Sequence, residues 1–203
     1  PILADFQPDA IHVFGTETNL GSIIAHTNIP SVIHLQGIIG PCINAWNFPG
    51  LNEVKILKSS NITLFLKGVG FFHDYFRFKK MAQRELGYFN ICTNFIGRTH
   101  WDKAMTKLYA PNANYFHCDE VIRDGFYNVE WHFKNEGKIR ISSTINANIY
   151  KGLDLILKTA ILLKKHCNIP FEWNVYGIKE GNEYVKIVQD IVKSKFRDYN
   201  VFL

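Results

Sequence analysis

A chain of 203 residues is long enough for one large or two small domains, and its 47% hydrophobic and 20% charged residues are those of an ordinary globular protein, with no apolar run near the roughly 20 residues of a membrane helix. The net charge of +5 is modest and spread out, with only short pairs such as Lys79-Lys80 and Lys164-Lys165; this argues against a nucleic-acid partner, while attraction to phosphorylated ligands or to an anionic membrane surface accounts for the charge as well. Cys42, Cys92, Cys118 and Cys167 are far apart with no Cys-x-x-Cys, which argues against a zinc site or a disulfide framework and makes a reducing cytoplasm the expected compartment.

In chain order, Asp9-Ala10-Ile11-His12-Val13-Phe14-Gly15 reads as a buried strand ending in glycine. Thr16-Glu17-Thr18-Asn19 is a polar turn able to start a short helix through Ile23, Ile24 and Ala25. After Pro30, Ser31-Val32-Ile33-His34-Leu35-Gln36-Gly37 is the next strand, which completes a βαβ unit and so a parallel pair. Residues 38–65 hold no period, and Gly40-Pro41 and Phe48-Pro49-Gly50 mark turns; an ordered surface excursion and an acceptor-binding loop both fit. A helical pattern returns over residues 71–87, where Phe71, Phe72, Tyr75, Phe76 and Phe78 suggest core or interface packing. Residues 88–96 read as a strand. Thr99 followed by Asp102 is an acidic form of the box that starts a helix, and Pro111 ends that helix. Residues 113–118 form a further strand, and the polar residues 128–137 read as a linker.

The second half repeats the alternation. Lys138-Ile139-Arg140-Ile141 is strand-like, and Ser142-Ser143-Thr144-Ile145-Asn146-Ala147-Asn148 reads as a polar loop. Leu153, Ile156, Leu157, Ala160, Ile161 and Leu163 then mark one broad helical face. A loop between strand and helix opens at the carboxyl edge of a parallel sheet, where ligands usually bind. Lys151 lies at the mouth of the helix, where its ammonium and the free N–H groups would both face a phosphate. A strand over residues 171–177, an exit loop at Gly177, a helix over 184–196 and the start of a strand over 199–203 complete the chain.

Several of these segments resemble group 1 glycosyltransferases (family 4 type), which have the GT-B fold. Tyr150-Lys151-Gly152-Leu153-Asp154 before a Leu/Ile helix looks like the family's donor segment, in which the Lys contacts the donor diphosphate. Pro8-Asp9-x-Ile11-His12-x-x-Gly15, and later Pro30 before Val32 and a strand ending near glycine, resemble its first domain. Most specifically, Gly97-Arg98-Thr99-x-Trp101-Asp102-Lys103-Ala104, followed by Cys118-Asp119-Glu120 and Phe126-Tyr127, resembles a bacterial subset of that family.

The resemblance implies an α/β protein of two Rossmann-like domains with parallel sheets, both incomplete: residues 1–127 on the acceptor side, a linker at 128–137, and the start of the donor domain at 138–203. It implies transfer of a sugar from a nucleotide-sugar donor to a hydroxyl of a glycan or lipid-linked acceptor. Retention of configuration is expected, with no metal or other cofactor and no nucleic-acid partner, in the cytoplasm or at the inner face of a membrane. By resemblance, Lys151 with Gln36 or His34 would be catalytic, and Ser143, Thr144, Asn146, Lys151 and Gly177 would bind the donor. Gly15, Gly37 and Arg98 would line the acceptor side. A sugar-nucleotide epimerase of the same fold and a non-catalytic nucleotide-sugar binding module are the alternatives. Two departures stand out. The family's Arg before the donor Lys is replaced by Ile145 or Asn146, and its His-Gly strand end is Gln36-Gly37 here, with His34 on the same strand face. The family's glycine-rich loop would precede Pro1 and its pair of glutamates eight apart would follow Leu203, so the chain is expected to be an internal piece, inactive alone.

Overall fold

The computed structural model describes residues 2–46, 54, 62–130, 132 and 137–203. The turn at Phe48-Pro49-Gly50 and most of the 131–136 segment lie outside the described residues. The chain forms two compact units, one from Pro1–Asn44 with Arg77–Val129 and one from Ala45–Phe76 with Glu130–Leu203. Each carries a parallel sheet flanked by helices, a Rossmann-like α/β arrangement.

In the first unit, β1 (Ile11–Phe14), β2 (Ser31–His34), β3 (Asn94–Gly97) and β4 (Asn114–His117) lie side by side in chain order. The pairing aligns Val13, Ile33, Phe95 and Tyr115 in one row across all four strands. Side chains alternate between faces, so this row lies on the core face with Leu35, Tyr88, Phe89 and Met105. The opposite row is Phe14, His34, Ile96 and Phe116, and its Phe14 and Phe116 are exposed.

Short helices α1 (Ile2–Phe6), α2 (Ile39–Asn44) and α3 (Ile62–Leu66) precede α4 (Phe71–Ile91), the longest helix. Residues 20–26 form a 3₁₀ helix, the short helix expected there. The strand expected over residues 88–96 is helix as far as Ile91, and only Asn94–Gly97 is extended. Tyr88 and Phe89 are strand-prone, but both are buried in the core from the helix, three and four residues on from Glu85; packing overrides local propensity.

Helix α5 (His100–Tyr109) begins as its sequence signals. The Thr99 hydroxyl accepts from the Asp102 N–H at 3.0 Å, and Asp102 Oδ2 accepts from the Thr99 and Arg98 N–H groups, each at 3.0 Å. The helix ends at Tyr109, with Ala110 as its cap before Pro111.

In the second unit, β5 (Ile139–Thr144), β6 (Phe171–Tyr176) and β7 (Val201–Phe202) are parallel and again in chain order. β5 pairs along its whole length with β6, from Ile139↔Phe171 to Thr144↔Tyr176. Ser142, Ser143 and Thr144 are therefore strand, not loop, because a six-residue partner strand draws them into the ladder. Helices α6 (Leu153–His166) and α7 (Glu183–Val192) bury Leu153, Ile156, Leu157 and Ala160, and Val185, Ile187 and Val188. α7 stops at Val192, short of the expected Phe196, because Lys193 takes the left-handed conformation at φ 55°. The buried Phe196 instead donates its N–H to Gln189 Oε1 at 3.3 Å. Trp46 is buried against the rings of Phe71 (5.8 Å), Tyr75 (5.9 Å) and Tyr150 (5.8 Å), so part of the aromatic cluster serves as core here.

The caps of α5 carry unequal weight. Thr99→Ala is expected to cost about 1 kcal/mol, the usual value for a lost N-cap. Asp102→Ala strands two backbone donors at a buried side chain and is expected to cost about 2 kcal/mol or more. Urea unfolding of both variants checks this, and a smaller cost for Asp102→Ala would contradict it.

Candidate functional site

At the carboxyl edge of the three-stranded sheet, Thr144, Ile145, Asn146, Lys151, Tyr176 and Gly177 line an open depression of ≈ 520 Å³. The Ile145 N–H donates to the Tyr176 carbonyl at 2.9 Å, which carries the β5–β6 ladder one step past the strands. Gly177 is left-handed at φ +95°, and a Cβ there would lie 2.2 Å from the Ile145 carbonyl oxygen. Only glycine satisfies both conditions, so the close approach of the two loops fixes this residue.

The Ile145–Asn148 loop is tied to itself. Asn148 donates its N–H to the Asn146 carbonyl at 2.8 Å and its side-chain amide to Asn146 Oδ1 at 3.0 Å. A 3₁₀ turn at Ile149–Lys151 follows, and Gly152 at φ 79° then hands the chain to α6. Lys151 thus stands in the turn before the helix rather than in its first turn. Its position is set by Tyr150, whose ring packs on Trp46 and lies 5.4 Å below the Lys151 ammonium. Asp154, the last residue of Lys-Gly-x-Asp, is buried and accepts from Lys158 Nζ at 2.8 Å. Burial, followed by the Asp154 charge, pushes the hydroxyl of Tyr184 far above its ordinary pKa, so it stays protonated.

Of the residues expected at a donor site, Thr144, Asn146, Lys151 and Gly177 come together around this depression. Ser143 does not line it. It is a half-buried strand residue whose hydroxyl accepts from Trp173 Nε1 at 3.0 Å. Tyr176 lines the depression although the sequence did not single it out, and Ile145, which stands at a position of the family's Arg, lines it too. The signal for Tyr176 was its place directly before Gly177 at a strand end.

The carboxyl edge of the four-stranded sheet gathers Gly15, Gln36 and Arg98. Gly15 is left-handed at φ +82°, with Gln36 Cγ 3.8 Å from where its Cβ would stand. Arg98 donates to the Gln36 carbonyl at 2.7 Å and pairs with Glu120 at 2.9 Å, so its guanidinium braces the ends of three neighbouring segments. Gly37 has open space around it. His34 is buried, stacked on His12 at 5.5 Å and edge-on to Phe14 at 4.9 Å. Burial, and then the neighbouring His12, holds its pKa below the ordinary 6.5, so it is neutral at pH 7. Among the described residues, neither His34 Nε2 nor Gln36 Nε2 has a hydrogen-bond partner.

Behind this edge lies Glu85, 1% exposed. Its carboxylate accepts from the Thr16 hydroxyl at 2.5 Å, from the Ile39 N–H at 2.9 Å and from the Gly40 N–H at 3.0 Å. One side chain of α4 thereby ties the loops that follow β1 and β2. Sequence reasoning missed it, although an acid three residues after Ala82 and three before Tyr88, on the apolar face of α4, was the available sign. Among the described residues, no cluster of three His, Cys, Asp or Glu is arranged to hold a metal ion. No protein-family model matches the chain, and no curated protein matches it.

Glu85 also sets a pH dependence. Burial raises its carboxyl pKa above the ordinary 4.5, and the hydrogen bonds from Thr16, Ile39 and Gly40 only partly offset this. A carboxyl raised on folding holds its proton more tightly in the fold. Its contribution is therefore full below about 4.5 and is lost as pH rises through the raised value. The wild type is expected to lose stability relative to Glu85→Gln as pH climbs from 4 to 8, measured by urea unfolding at both ends. A wild type that gains on the variant over that range would contradict the assignment.

Proposed function

We propose that the chain binds a nucleotide-sugar donor at the carboxyl edge of its three-stranded sheet, and that it belongs to a glycosyltransferase of the GT-B kind. The observation that carries this reading is the depression lined by Thr144, Asn146, Lys151 and Gly177 at two adjacent parallel strand ends. Such an edge is where open α/β sheets take their ligands. Among the described residues the depression holds a single cation, Lys151, with the Thr144 hydroxyl and the Asn146 amide beside it.

Transfer of the sugar leaves negative charge on the departing diphosphate. A fixed ammonium stabilises that charge more in the transition state than in the ground state, which is electrostatic catalysis. Packing of Tyr150 on Trp46 holds the backbone from which Lys151 extends, so little ordering remains when the donor arrives. The braced edge around Gln36 and Arg98, and the neutral His34, are the groups we assign to the acceptor hydroxyl.

Calorimetric titration with uridine and guanosine diphosphates tests the donor site. The chain is expected to bind a nucleoside diphosphate, and Lys151→Ala to weaken it by about ten- to hundredfold, the scale of one lost hydrogen bond to a charged group. Lys151→Arg is expected to restore part of this, since the charge remains while its geometry changes. Unchanged affinity in Lys151→Ala would overturn the reading. With a labelled donor, transfer or hydrolysis marks a transferase and an epimerised sugar marks an epimerase.

A further inference from the structure

Thr144, Asn146 and Lys151 supply the polar lining of the depression after β5 and β6, and Ile145 and Tyr176 supply its apolar lining. Tyr176 ends β6 and pairs in register with Thr144, the last residue of β5. Partners in register turn their side chains to one face of the sheet, on strands about 4.8 Å apart. The Tyr176 ring therefore stands beside the Thr144 hydroxyl. On that face the residues before them are Ser142 and Asn174, which are also paired and are polar. The core lies on the other face, where Phe171 and Val175 are buried. Tyr176 is 58% exposed, and among the described residues its ring meets no other ring and its hydroxyl makes no hydrogen bond.

A single exposed tyrosine needs no explanation by itself. This one has a bare neighbour at a ligand-binding edge. Gly177, next in the chain, carries no side chain and has no room for one, since a Cβ would lie 2.2 Å from the Ile145 carbonyl oxygen. The ring is thus bordered by open backbone and by the depression, with space for a flat group against it. The ≈ 520 Å³ of the depression falls in the range of small-molecule sites, about 300–1,000 Å³, and leaves space beyond a diphosphate on Lys151.

We infer that Tyr176 carries the nucleobase of the ligand, stacked flat on its ring, while the diphosphate lies toward Lys151; this rests on the donor-site reading above. A nucleobase presents two flat faces, and any base stacks on an aromatic side chain. A sugar ring on Tyr176 is the competing occupant. Its hydroxyls call for strong acceptors, and among the described residues no carboxylate lines the depression. Stacking also offsets the shortage of positive charge, because part of the affinity comes from the base. The ring thereby separates nucleotides from phosphate compounds that have no base.

Calorimetric titration of the 203-residue chain with pyrophosphate, uridine diphosphate and guanosine diphosphate tests this. The wild type is expected to bind the better nucleotide about five- to hundredfold more tightly than pyrophosphate. Tyr176→Thr, which keeps strand propensity, is expected to remove that advantage and to leave pyrophosphate affinity unchanged. Tyr176→Phe is expected to keep the advantage, since the ring remains. Lys151→Ala is expected to weaken pyrophosphate and nucleotides alike. Circular dichroism of each variant confirms that it is folded. Three results with pyrophosphate still held by Lys151 would overturn the stack and leave the donor site standing: no advantage for a nucleotide, an advantage that survives Tyr176→Thr, or one that is lost in Tyr176→Phe. Equal losses of pyrophosphate and nucleotide in Tyr176→Thr would also overturn it. Ligands that do not bind, or that bind regardless of Lys151, would overturn the donor site and the stack together.

Discussion

A carboxylate that is almost wholly buried must be met by donors, and this requirement organises the carboxyl edge of the first sheet. Glu85 receives the Thr16 hydroxyl and the N–H groups of Ile39 and Gly40, which open the segments after β1 and β2. Each of those backbone donors would otherwise need water at a buried position. The segment after β2 sends Leu35 and Ile38 into the core, and the helix that supplies Glu85 fixes where its next residues lie. Gly15, Gln36 and Arg98 inherit their places from this arrangement, with Arg98 fastening the Gln36 carbonyl from the far side. The cost is desolvation of the carboxylate, which its raised pKa records.

The second sheet reaches a similar end without a buried charge. There the ladder itself continues past the strands through Ile145 and Tyr176, and Gly177 lets the two loops touch. What remains open between them is lined by Thr144, Asn146 and Lys151 beside the apolar surface of Ile145 and Tyr176, with one ammonium among the described residues. A diphosphate carries more charge than one lysine neutralises, so in the proposed reading neutral donors share the load. Asn146 has its Oδ1 occupied by Asn148, which leaves its amide nitrogen as the side chain's donor. In the proposed reading, the absent arginine leaves a mixed site of one cation and neutral donors in place of a charged clamp.

Legibility of the fold followed the kind of signal. Strands ending in glycine and the Thr99–Asp102 box were readable because turn and cap chemistry is local. The alternation of strand and helix gave the parallel sheets. Tyr88 and Phe89 misled because their local preference for strand is outweighed by burial on a long helix. Ser142 to Thr144 misled because polar residues on an open sheet face look like loop. The grouping around Lys151 was readable as order along the chain. Tyr176 entered only through pairing across strands, and Glu85 only through contacts 45 or more residues away, which no local pattern encodes.

In the proposed reading, the loop ends after β5 and β6 form a nucleotide-diphosphate site. Amide spectra recorded during titration with uridine and guanosine diphosphates test it residue by residue. Saturable shifts are expected to concentrate at Thr144, Ile145, Asn146, Lys151 and Gly177, with one of the two nucleotides preferred. Saturable shifts centred elsewhere, or none at millimolar concentrations of either nucleotide, would contradict it.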